Sequence, residues 1–468
     1  MKPLIAALLF VACTSGVSFA QHQHEHAGAP PERLGTVHFE TTCSADVQPT
    51  FDRAVALLHS FWFAAARDAF TDVLANDQDC AIAYWGIALT HYSNPFGGYR
   101  PPEALAKGRD AAAKGLALGP KSARERDYLS AIAELYRDFE TRDARTRVLA
   151  YEKAMNRAAA AWPDDPEATI FYALAVTQTA QPTDKTYANQ QKAGALLEPL
   201  FARQPDHPGL AHYIIHAYDV PPLAPKALAA ARRYAQIAPA APHALHMPSH
   251  TFTRVGSWDE SIATNIASAD VAQREGAVTE QLHAMDYMAY AYLQTARDDA
   301  ARRLVTAVDG IVGSVASAPA NAAPVPAGYF AAAAIPARYV LERGAWTEAA
   351  GLAVRPSQFA HVRAITHFAR AMGLARSGNA AAAEAETRKL AELEAELTKA
   401  GDAYWAEQVT IQRMVASAWL AQARGESAQA ERELRAAAER EDATEKSAVT
   451  PGPFVPARES LGELLLVL

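Results

Sequence analysis

The chain predicts an all-α fold, a superhelical solenoid of helix-turn-helix units, and three observations carry that prediction. From about Gly35 onward, Ala-rich segments carry aromatic residues at 3–4-residue spacing, the period of one helix face. Clusters of Gly, Pro or Asp interrupt these segments every 15–20 residues, and no alternating strand pattern stands out. Two histidine pairs, His212/His216 and His246/His250, lie 34 residues apart, member for member.

A 34-residue period is that of the tetratricopeptide repeat, a helix pair that stacks into a superhelical groove. Residues four apart share a helix face. If the first helices of neighbouring repeats stack in register, both histidine pairs face one surface. Pro248 complicates the second pair, because a kink or a helix start there would move His246 away from His250.

The elements follow in order. Residues 1–20 read as a secretory signal: Lys2 is the positive start, Leu4 to Val11 the apolar core, and Ser18 and Ala20 the small residues of a cleavage site. A lipoprotein reading through Cys13 competes less well, since Phe10 stands where such signals usually carry Leu. Residues 21–34 read as a disordered tail whose His22, His24 and His26 can gather copper or zinc loosely. Residues 35–313 read as N-terminal repeats, 314–328 as a linker rich in Ala, Pro and Val, and 329–468 as C-terminal repeats.

Within the repeats, Pro166, Pro208 and Pro242 suit first helical positions, where a missing N–H costs nothing. Gly256, Gly344 and Gly378 suit the left-handed caps of first helices. Aromatics such as Trp85 and Tyr287 recur at packing spacing. No stretch reaches 18 uninterrupted apolar residues, so no transmembrane span is expected.

Composition narrows the partners and the compartment. The sequence holds 44 basic and 52 acidic residues, and removing the signal with Lys2 leaves a formal charge of −9. With no basic stripe, nucleic acid is excluded as a partner. Loss of the signal leaves Cys43 and Cys80, a disulfide pair in a periplasmic or secreted protein. Closing that loop would stabilise by about 4 kcal/mol; the alternative is two buried free thiols.

Four segments carry a family resemblance: His59-Ser60-Phe61, Cys80-Ala81-Ile82-Ala83-Tyr84-Trp85-Gly86, His212-Tyr213-Ile214-Ile215-His216-Ala217-Tyr218-Asp219, and Ala241-Pro242-His243-Ala244-Leu245-His246-Met247-Pro248-Ser249-His250. With these the chain resembles exported bacterial tetratricopeptide-repeat-like proteins. The resemblance implies a helical repeat fold and an interaction role, and no reaction. It also leads one to expect a further helix pair after Gly462-Glu463-Leu464-Leu465; without it, apolar surface there would be exposed to a partner.

Chemistry concentrates in one region. Six of the fifteen histidines lie between residues 207 and 250, and His283 follows His246 by 37. The leading expectation is a groove that recognises a protein, peptide or small ligand through His212, His216, His243, His246, His250 and His283, with Asp219 and Asp286 orienting them. The alternative is a zinc or copper site built from His212, His216, His246, His250 and Asp286, serving a metal carrier or, less favoured, a hydrolase. A third reading is duplicated packing. The sequence holds no His-Glu-x-x-His, Gly-x-Ser-x-Gly or phosphate-loop motif, so no catalytic residue is assigned.

Overall fold

The computed structural model of the chain describes residues 32–98, 100–318 and 322–468. The expected signal at 1–20, Cys13 and the His22, His24 and His26 tail lie outside these residues, as does Tyr99. Arg33–Leu468 forms one compact unit. Its described residues contain 22 α-helices and three short 3-10 helices, with no strand among them.

Local sequence sets the helix boundaries. Pro166, Pro208 and Pro242 open the helices Pro166–Gln178, Pro208–Ala217 and Pro242–His246. Asp165 and His207 cap the first two, accepting hydrogen bonds from the backbone N–H groups of Glu167 and Leu210. Gly256, at φ 76°, closes Pro248–Val255 in the left-handed conformation that a side chain would resist.

Consecutive helices pack as pairs, and the first helix of one pair also packs on the first helix of the next. Val278–Gln294, Val325–Glu342, Ala360–Arg376 and Ala403–Ala423 form such a series. That double adjacency is the packing of a solenoid. The winding is tight, because Gln48–His59 packs against Pro208–Ala217. Apolar burial follows the winding: one core spans residues 34–252 with Ala322, a second 301–464, and a smaller, separate one draws on Val278–Gln294 and Val325–Glu342.

Three details differ from the sequence expectations. Two residues of the expected 21–34 tail are packed: Leu34 is buried, and Arg33 donates to the Gln236 carbonyl. The expected 314–328 linker is shorter, since Val312–Ser317 is a 3-10 helix and Pro324 caps a helix that starts at Val325. Pro248 does begin a new helix, yet Met247 keeps right-handed backbone (φ −53°, ψ −36°), so the chain continues without turning away. Cys43 and Cys80 are joined in a disulfide. No described helix is long and apolar enough to cross a membrane.

Candidate metal centre

Three neighbouring layers build the site: Pro208–Ala217; the near-continuous pair Pro242–His246 and Pro248–Val255; and Val278–Gln294. Their repeat register carries His212, His216, His243, His246, His250 and His283 to one place in the interior. All six are 0–8% exposed. The sequence expectation put these six histidines on a groove that meets a ligand; in the fold their side chains face the interior of the winding.

The six imidazoles fall into two groups of three. One joins His212, His216 and His243; the other joins His246, His250 and His283. Within each group, one ring nitrogen per residue lies within 4.8 Å of the others. The groups adjoin: the rings of His243 and His246 are 6.0 Å apart, and those of His216 and His250 are 6.2 Å apart.

Hydrogen bonds select which nitrogens face inward. His212 Nδ1 donates to the His59 carbonyl at 2.6 Å, His246 Nδ1 to Asn265 Oδ1 at 2.7 Å, and His250 Nδ1 to Asp219 Oδ2 at 2.9 Å. Asn265 is oriented by its own amide, which donates to the Ser261 carbonyl. In a neutral ring the other nitrogen is then a bare lone pair. His246 Nε2 and His250 Nε2 face each other at 3.1 Å. Buried without any hydrogen-bond partner are His212 Nε2, His216 Nε2, both ring nitrogens of His243, and His283 Nδ1. An unsatisfied buried polar group costs about 1–3 kcal/mol, so this is an expensive cluster to keep for packing alone.

Burial also keeps the rings uncharged. It lowers His212 and His283 to about 3, drives His216, His243 and His246 well below the usual imidazole value, and lowers His250 against the pull of Asp219. Neutral imidazole is the form that ligates a metal.

Aromatic rings wall the chamber. Phe61 lies 4.4 Å from His212 and 5.4 Å from His243, Phe96 4.2 Å from His216, and Tyr234 5.1 Å from His212. Tyr287 packs 4.8 Å from His246 and 4.9 Å from His250. Phe61 adopts φ 54°, a left-handed conformation that costs a bulky residue about 1–3 kcal/mol. The packing that places its ring against His212 and His243 offsets that cost.

A segment from the far end of the solenoid closes the Asp219 side. Tyr287 Oη is 3.1 Å from the Ala448 carbonyl and 3.3 Å from that of Thr450. Asp219 accepts from Arg254 Nε at 2.9 Å and Lys446 Nζ at 3.3 Å. Burial alone would raise the Asp219 carboxyl, but Lys446 and Arg254 outweigh it and hold the group well below its ordinary range. Burial lowers Lys446 to about 8 in turn.

Asp286 stands apart from both groups. Its Oδ1 accepts from Arg338 Nε at 2.8 Å, where the sequence suggested a ligand or an orienting partner for histidine. The orienting roles fall instead to Asp219, Asn265 and the His59 carbonyl. Asn265 lies on Trp258–Arg274, and no spacing pattern marks it. Glu280 Oε2 comes within 3.9 Å of His243 Nδ1, too long for a hydrogen bond.

A second buried network, which sequence reasoning missed, abuts the first. Glu167 accepts from His59 Nε2 at 2.9 Å and from His207 Nε2 at 2.8 Å. His59 Nδ1 lies 3.0 Å from Tyr213 Oη, and His207 Nδ1 accepts from the Leu210 N–H. Burial raises Glu167, but His59 and His207 prevail and hold it below the usual carboxylate range. Gly209 permits the approach: a Cβ there would meet His59 Nδ1 at 2.4 Å.

No family model matches the chain, and no curated protein matches it. Among solved structures it is similar to the TPR domain of P58(IPK), at 13% identity and a TM-score of 0.24, covering 90% of this chain and 98% of that one. It is also similar to Naa15/Naa10 bound to HypK-THB, at 13% identity and a TM-score of 0.25, covering 89% of this chain and 62% of that one. Superpositions this loose leave the site to be read from its own residues.

Proposed function

We propose that this chain is a metalloprotein whose six buried imidazoles hold two transition-metal ions, one per group of three. The observation that carries the reading is the facing pair His246 Nε2 and His250 Nε2, 3.1 Å apart, each with its Nδ1 proton committed elsewhere. Two lone pairs at that distance repel unless a cation lies between them. Burial disfavours a proton there, since it lowers the pKa of both rings. Three protein ligands per ion leave a position open, the pattern of sites that bind or transform a small molecule rather than of purely structural ones.

The test is elemental analysis of protein purified without a histidine tag, beside a His246→Ala/His250→Ala variant. Two ions per chain in the wild type, falling to one in the variant, is the expected result. Protein that stays metal-free after incubation with zinc and copper ends this reading.

A ligand-binding scaffold is the second reading, and one observation favours it. A cavity of about 360 Å³ lies among Tyr290, Phe330, His361, Trp405, Gln408 and Gln412. That volume suits a small molecule, at the low end of ligand pockets, and does not admit a folded partner.

A further inference from the structure

We infer that the metal is copper, held as a pair of cuprous ions. This rests on the six-imidazole reading above and specifies its occupant.

The donor set gives the first reason. Each group consists of imidazoles alone, with no carboxylate or thiolate in either, and both cysteines of the described residues are tied up in their disulfide. Magnesium, calcium and manganese prefer oxygen ligands and find none among the six donors of the two groups. Imidazole suits copper, zinc, nickel and iron, and among divalent ions copper heads the affinity order at a given nitrogen site.

Charge gives the second reason, and it selects the oxidation state. Six neutral ligands contribute nothing against the charge of the ions. The one carboxylate hydrogen-bonded to a ligand is Asp219, which already faces Arg254 and Lys446. Asp286 is matched by Arg338. Glu167 is held by His59 and His207, and Glu280 spends Oε1 on the Ala323 N–H while its Oε2 stands 3.9 Å from His243 Nδ1. Two divalent ions would bring four positive charges into this interior against one buried carboxyl, Glu280, that no lysine or arginine already faces, whereas two cuprous ions bring two. Isolated charge in a low-dielectric site is among the costliest burials a protein can make.

The walls give the third. Phe61, Phe96, Tyr234 and Tyr287 present ring faces and edges to the imidazoles, so the chamber offers little hydration to a more highly charged ion. Cuprous copper is satisfied by three nitrogen donors. Zinc, or oxidised copper, would need a further anion such as hydroxide drawn in from solvent.

The test is an anaerobic competition on the full chain. Metal-free protein is titrated with cuprous ion in the presence of a coloured cuprous chelator, then challenged with a tenfold excess of zinc. The expected outcome is withdrawal of two equivalents of copper that zinc does not displace, with a cuprous X-ray absorption edge and a nitrogen-only shell. The His246→Gln/His250→Gln variant, checked by circular dichroism for intact helix content, is expected to withdraw one equivalent. If zinc displaces the copper, or two zinc ions bind and cuprous ion does not, the copper assignment is overturned while the metal centre stands. If neither ion binds the folded wild type, both are overturned together.

Discussion

Two buried histidine networks touch each other in this fold, and they are completed to different degrees. Around Glu167, both nitrogens of His59 and both of His207 have partners within the chain. One carbonyl away, where His212 donates to His59, the partners run out and five ring nitrogens have none. Burial is alike in the two places; the difference is that Glu167 serves both of its histidines, whereas Asp219 serves only His250 among the six. A buried imidazole is therefore uninformative by itself, and the count of its unsatisfied nitrogens separates a packing solution from a ligand set.

The comparison can be broken most forcefully at Glu167. Glu167→Ala leaves two buried imidazoles without their acceptor, so urea unfolding of the metal-free protein should show a loss of about 3–5 kcal/mol, while metal content per folded chain is unchanged. A loss of metal alongside it would mean that the two networks are one site.

Metal addition should act the other way round. Each ion, at a thousandfold excess over its dissociation constant, should stabilise the wild type by about 4 kcal/mol. A His212→Ala/His246→Ala variant, with one ligand removed from each group, should show almost none of this in thermal melts, and Glu167→Ala should show all of it.

Acid should separate the networks along the pH axis. Burial lowers the folded-state pKa of all six centre histidines, to about 3 for His212 and His283, so the unfolded chain takes up protons first. The stability from their neutrality is full above about pH 6.5 and is lost as pH falls below it, at about 1.4 kcal/mol per unit for each such group. His59 shifts the same way. Glu167 is lowered from 4.5, so its contribution is full above that value and fades only below it. Between pH 6.5 and 4.5 the metal-free wild type should therefore lose stability more steeply than a His216→Ala/His243→Ala variant, as read from urea midpoints. Equal slopes would mean that these rings are already charged in the fold.

The smallest expected effect sharpens the split within the centre. Asp219→Asn should weaken the ion held by His246, His250 and His283 by about 10–100-fold and leave the other ion unaffected. A uniform loss at both would show the two groups acting as a single site.

Much of this was legible in the sequence, for reasons that also mark the limits. The 34-residue spacing of Pro208 and Pro242, and of the two histidine pairs, reports stacking register directly. His243 and His283 belong to the same stacked layers but were read only as groove residues, because a period gives a face and not a depth. Whether that face is open depends on how tightly the solenoid winds, and the contact of Gln48–His59 with Pro208–Ala217 is a long-range fact. Pro248 argued against a shared face; the right-handed backbone at Met247 preserves it. Asp286 sat at a promising spacing from His283 but found Arg338, 52 residues downstream. Glu167 and Lys446 carry no local signal, since their histidine and aspartate partners lie far away in the chain.

The contact of Lys446 with Asp219 spans 227 positions. A nascent chain emerging N-terminus first can stack every imidazole of the chamber before that lysine has been made. With synthesis at 5–20 residues per second, the stretch between His283 and Lys446 corresponds to about 10–30 s. Until then Asp219 has Arg254 and His250 but not the lysine that faces it in the finished fold.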